Sequence, residues 1–332
     1  ARVCQSAAAV VASEPHRRTQ WCSFPSRVAV KIINLFVKIK LKVKESEMSK
    51  DYLVEIPIDK WVELRDMFNG DWPKNIVNYF TIDNYIKWRE KSNEIANLHF
   101  YSLNGEWKSD ATVLIVDRYQ LFVCSLDETN SQLKRALELL DWRMGYKISS
   151  FVSKHRPAIL HLMESRRLEK EYDSKTVLYY LPRHLGETVL VDCPSEFELR
   201  PMVKEDAVLA DSVWPNRHVG SLFFLKRLIA WNPNVGAYTK DGRLVAWCFR
   251  LQAGALGALQ VDKEYQRRGL GTLITKAMIR KLCDLRMDTF AFVNCDNAPS
   301  RRMFEKLGFI ETDYVYWLRT LPTDPTIPPW SD

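Results

Sequence analysis

The sequence lacks any pair of cysteines at C-x-x-C spacing, and its 7 cysteines are odd in number and scattered. Neither a zinc site nor a disulfide framework is indicated, and a reducing compartment, cytoplasmic or mitochondrial, is the expected setting. No metal is expected. The body of the chain also lacks an excess of charge of either sign. The net charge of +7 is concentrated in residues 1–47, which hold 9 Lys+Arg against 3 Asp+Glu; the rest holds 39 against 38. That balance argues against a nucleic-acid partner. Long apolar runs are missing too. Val28 to Val43 is short and carries Lys31, Lys38, Lys40 and Lys42, so no membrane span is expected, although a basic segment lying on a membrane surface stays open. No internal repeat is visible.

What is present suggests a leader followed by two α+β units. Residues 1–47 are poor in acid and mixed in Arg, Ser and Pro, like an organelle transit peptide. An alternative start at Met48 is an equally good reading. Residues 48–190 form the first unit. Helices are expected from Asp59 through Phe68, from Asn75 to Trp88, over Gln132 to Trp142 and from Pro157. Strands are expected at Leu98 to Leu103, Thr112 to Val116, Leu121 to Ser125 and Val177 to Leu181, with Asn104-Gly105 as a turn. Trp61, Trp72, Trp88, Trp107 and Trp142 read as core more readily than as a substrate cleft. Gly186 to Ser195 is a connector.

Residues 191–321 are more sharply patterned, and residues 322–332 form a Pro-rich extended tail. Within the second unit, Asp241-Gly242 joins two strands as a hairpin. Ala255 to Val261 is a strand, Thr272 to Arg286 a helix, and Gln266-Arg267-Arg268-Gly269-Leu270-Gly271 lies between them. Glycines let a backbone approach a ligand closely. The unpaired N–H groups of a helix start, and the helix dipole, favour an anion there. Taken alone, a Q-x-x-G-x-G string is weak evidence.

Its neighbours strengthen it. Leu199-Arg200-Pro201 with Glu205-Asp206, Asp241 to Trp247, Leu259-Gln260-Val261 ahead of the loop, Asn297-x-x-Ser300, and Phe304-x-x-x-Gly308-Phe309 occur in order. This set resembles the GNAT acetyltransferase superfamily. Gly220 to Phe224 and Ala255 to Val261 are similar, more narrowly, to the animal glycine N-acyltransferase-like proteins. The resemblance implies a mostly antiparallel twisted sheet flanked by helices, with a divergent, degenerate relative of that fold before it. It implies an acyl-CoA donor, acetyl-CoA or another, and a small amine acceptor such as glycine, in a monomer or dimer. CoA would be held by Leu259, Gln260, Val261, Gln266, Arg267, Arg268, Gly269, Leu270, Gly271, Thr272, Asn294, Asn297, Ser300 and Phe304. Pantetheine would lie between splayed strands, with the Val261 N–H as an oxyanion donor. Phe304 stands where many members carry a Tyr acid, and Ala255 where a Glu base is expected. Glu264 and Tyr316 are the remaining catalytic candidates, with Tyr265 and Tyr314 behind them. Cys295 reads as a buried inert thiol and His218 as a surface residue.

Overall fold

Aromatic and β-branched runs along the chain pair into a single sheet, and this sheet positions everything else. The structure, a computed structural model, describes residues 50–92 and 94–327. The expectations for the 1–47 leader, for Met48 and for Pro328 and Pro329 lie outside those residues. From Asp51 onward the described chain belongs to one compact unit. Its strands are β1 (Leu53–Glu55), β2 (Leu98–Leu103), β3 (Val113–Asp117), β4 (Gln120–Cys124), β5 (Lys147–Val152), β6 (Lys170–Leu181), β7 (Phe197–Arg200), β8 (Asn234–Thr239), β9 (Leu244–Arg250), β10 (Leu256–Val261), β11 (Thr289–Asn294) and β12 (Ile310–Thr320). They form one sheet in the order β1-β2-β3-β4-β5-β12-β6-β11-β10-β9-β8-β7.

That order contains a repeat which the sequence does not show. The steps from β1 to β4 are antiparallel and β4 pairs parallel to β5. The steps from β7 to β10 are antiparallel and β10 pairs parallel to β11. Helices recur in the same slots. α1 (Trp61–Asp66) and α2 (Ile76–Lys91) follow β1, α3 (Ser131–Leu137) follows β4, and α4 (Arg156–Ser165) follows β5. α5 (Asp206–Ser212) and α6 (Ser221–Trp231) follow β7, α7 (Leu270–Asp284) follows β10, and α8 (Ala298–Lys306) follows β11. Each half lends its last strand to the other: β6 pairs with β11, β12 with β5, and the two pair with each other at the centre.

The faces are filled accordingly. Ile274, Met278, Ile279 and Leu282 of α7 pack with Leu256, Ala291 and Val293. On another face α1, α2, α5 and α6 enclose Phe100, Trp247 and Phe249. Leu133, Leu137, Ile159 and Leu162 of α3 and α4 cover Leu121, Ile148 and Leu318. Trp61, Trp88, Trp107 and Trp142 are core, as their pattern suggests, while Trp72 is partly exposed.

Several elements differ from expectation. β5 has no counterpart in the sequence reading, because Lys147, Ser149 and Ser150 interrupt the apolar pattern yet are buried. β6 begins at Lys170, seven residues before Val177, since pairing with β12 carries a polar stretch into the sheet. The extended tail is docked at its start: the N–H groups of Thr323 and Asp324 donate to the Arg143 carbonyl at 3.0 and 3.1 Å.

Candidate acyl-CoA site

β10 and β11 meet at one pair, Leu256 with Ala291, and then part. The cause is a bulge in β10. Its register against β9 shifts between Gly257 and Gln260, and Ala258 takes a left-handed φ of 47°. A bulge bends the strand that carries it. Gly257 permits the bend, because a Cβ there would lie 2.5 Å from the Leu251 side chain. β11 meanwhile stays paired along its whole length with β6, from Thr289–Leu181 to Asn294–Thr176. The sheet therefore opens between residues 257–261 and 292–294.

The backbone of β10 presents itself to that opening. The Asp262 N–H donates to the Val245 carbonyl at 2.8 Å, on the β9 side. Alternation along a strand turns the N–H and C=O of Val261 the other way. Consistent with this, the Val261 carbonyl accepts from Gln266 Nε2 at 3.3 Å rather than from β9. Leu259, Gln260 and Val261 are all half-buried.

Beyond β10 the chain makes one 3₁₀ turn, Lys263–Tyr265, capped by Asp262, whose carboxylate accepts the Glu264 N–H. It then enters α7. Arg267 and Gly269 take φ values of 63° and 79°, and no side chain caps the helix start at Gly269. The first-turn N–H groups at Leu270, Gly271 and Thr272 thus lack intrahelical acceptors. Arg267 and Arg268 are exposed, the latter 5.0 Å above the Tyr265 ring. This is an uncapped helix start at the mouth of a split sheet, an arrangement suited to an anion.

The corresponding loop in the first half is occupied by its own carboxylate. After β4, Asn130 takes a φ of 54° ahead of α3, matching Gly269. Asp127 fills the cradle: it accepts the N–H groups of Thr129 and Ser131, both at 2.8 Å, and the Thr129 hydroxyl at 2.7 Å.

The other predicted residues divide. Asn294 and Asn297 lie beside the opening but serve the turn: Asn294 Oδ1 accepts the Asp296 N–H, and Asn297 Oδ1 accepts the Ser300 N–H at 3.1 Å, capping α8. Phe304 is buried, stacked on Tyr179 and edge-on to Phe309. Glu264 is exposed and ion-paired with Arg243 at 2.8 Å. Tyr316 stacks on Phe151 and lies under Arg156, packed against the α3–α4 cluster. Its neighbour Trp317 instead touches Phe292 of β11. Tyr314 lies under Lys175, and its bond to Glu311 raises its pKa. Cys295 is half-buried. His218 is not free at the surface: Nδ1 lies 3.0 Å from the Asn216 carbonyl and Nε2 3.2 Å from the Tyr119 hydroxyl. Phe292 and Trp317, which meet beside the opening, were not among the expected site residues. Only their aromatic character could have drawn attention to them.

Residues 234–318, from β8 to β12, match the family described as FR47-like protein. The structure of a Drosophila melanogaster protein, solved by X-ray crystallography, is 24% identical, with a TM-score of 0.74 over 83% of this chain and 100% of that one. A tandem GNAT protein from the clavulanic acid biosynthesis pathway is 13% identical, with a TM-score of 0.48 over 82% and 98%. A GCN5-related N-acetyltransferase from Sphaerobacter thermophilus is 13% identical, with a TM-score of 0.47 over 85% and 98%. No curated protein matches in sequence. The chain has a mixed, mostly antiparallel α+β architecture, shared with the Drosophila structure, with an FR47-like segment at the split strands. No helix among the described residues is long and apolar enough to cross a membrane.

Proposed function

We propose that the protein is a CoA-dependent N-acyltransferase, moving an acetyl or other acyl group from acyl-CoA to the amine of a small acceptor such as glycine or another amino acid. One observation carries the reading: the uncapped α7 terminus stands beside strands that part after Leu256–Ala291. The pyrophosphate would rest on the N–H groups of residues 267–271, between Arg267 and Arg268. Pantetheine would enter the split along Leu259 to Val261. The Val261 N–H would then face the thioester oxygen, and one such donor is worth ~3–4 kcal/mol to an oxyanion. The neutral amine attacks the carbonyl directly. The C–N bond forms as the C–S bond breaks, the amine proton passes to water, and CoA departs as a thiolate. A thiol of pKa ~8.5 leaves without an enzymic acid, which accommodates Phe304.

A second reading, acyl-CoA binding without chemistry, is favoured by the buried packing of Phe304 and the ion pair that holds Glu264. Thiol release from acetyl-, propionyl- and benzoyl-CoA, measured against a panel of amino acids and amines, separates the two. Acceptor-dependent release supports the enzyme. Saturable binding without release supports the second reading, and absence of binding overturns both.

A further inference from the structure

A second cavity lies at the opposite end of β12 from Ile310. Arg319 of β12 pairs with Lys147 of β5, and both residues line a cavity of about 220 Å³. The remaining walls include Met144, Val219, Pro322, Pro325 and Ile327, with Tyr119. Lys147 is 6% exposed. Among the described residues its ammonium has no hydrogen bond or ion pair. Its neighbours are the rings of Trp214, Phe224 and Trp317, at 5.8, 5.9 and 5.9 Å. The nearby acid, Glu171, is engaged by Arg319 at 3.1 Å. The Tyr119 hydroxyl donates to the Gly220 carbonyl and meets His218.

A buried ammonium with no counter-ion is costly, and proteins keep such a group only neutral or paired. We propose that this cavity is a binding site for a small organic carboxylate, whose anionic end lies between Lys147 and Arg319 and whose apolar body lies against Val219, Pro322, Pro325 and Ile327. The size suits it, being about seven times the ~30 Å³ share of one liquid water. A phosphate is the poorer fit, because Met144, Val219, Pro322, Pro325 and Ile327 offer it apolar walls. The state of Lys147 agrees. Burial, then the Arg319 charge, lowers its pKa to about 7, with Glu171 partly opposing. An anion in the cavity raises it again, so binding weakens as pH climbs above 7. The proposal requires no acyl-CoA chemistry.

The test follows the Lys147 Cε resonance in the full chain labelled with ε-¹³C lysine, assigned by its loss in Lys147→Met. Sodium isobutyrate is added at constant ionic strength, with isobutyramide and inorganic phosphate as controls. The expected result is saturable isobutyrate binding, a Lys147 pKa raised by a unit or more, affinity at least fivefold weaker at pH 9 than at pH 6, and no isobutyramide response. The wild-type titration stands without the variant. A response to phosphate as strong as to isobutyrate, an equal response to the amide, or no saturable change overturns the proposal.

Discussion

Leu256 pairs with Ala291, and beyond that pair the two parallel strands separate. The first-half counterpart, β4 with β5, also pairs only at its start, Gln120 with Lys147 and Leu121 with Ile148. Both halves therefore have a split sheet and a helix entered through a left-handed residue. What distinguishes them is the anion at the helix start: Asp127 in one, an external phosphate in the proposed function of the other.

Asp127→Ala removes that internal anion. Three hydrogen bonds are lost at an exposed helix start, and the expected destabilisation is about 1 kcal/mol. Burial would raise the Asp127 pKa, but the bonds from Thr129 and Ser131 outweigh it and the value is lowered. The stabilisation is thus present above the ordinary carboxylate range and is lost as pH falls through the folded value. Urea unfolding at pH 7 and pH 3 checks this, with the wild-type–variant difference shrinking at the lower pH.

The two halves are tied by a buried ion pair. Arg227 of α6 meets Asp117 of β3 through both terminal guanidinium nitrogens, and Tyr85 of α2 donates to Asp117 at 2.9 Å. Arg227→Met leaves a carboxylate uncompensated in the core, at a cost of about 3–5 kcal/mol. Adding Asp117→Leu is expected to recover most of that loss. Chemical unfolding of both variants measures it.

Lys147 makes stability depend on pH in the same sense as Asp127, in a higher pH window. Its folded pKa of about 7 lies below the ordinary lysine value, so between the two the unfolded chain binds more protons. Stability therefore rises as pH goes from 7 towards 10, by on the order of 4 kcal/mol. Lys147→Met is expected to flatten that rise and to stabilise the protein most at pH 6.

Local signals in the sequence were legible and distant ones were not. Asn104-Gly105 and Asp241-Gly242 both fall at turns, with left-handed φ at Asn104, Gly105 and Gly242. The strand before Gln266 and the helix after it are present as their pattern suggests, though the helix starts at Leu270 rather than Thr272 and ends at Asp284 rather than Arg286. β5 was invisible because a buried lysine reads as a surface residue. The exchange of β6 and β12 depends on pairing across more than 100 residues, which no local pattern encodes. Asn297 was chosen as a CoA contact, and the geometry accounts for it equally as a helix cap.

The central claim is that α7 receives a phosphate at residues 267–271, and Gly271→Glu tests it most directly. A Cβ at Gly271 meets only Met303 Sδ at 3.6 Å and Val261 Cγ2 at 3.8 Å, so the fold accepts it. A carboxylate in the first turn favours the helix by about 0.3–1 kcal/mol while repelling a pyrophosphate. Calorimetric titration with acetyl-CoA is expected to show saturable binding to the wild type and at least a hundredfold weaker binding to the variant, with Tm unchanged or raised. Equal acetyl-CoA affinity in a folded Gly271→Glu protein contradicts the account.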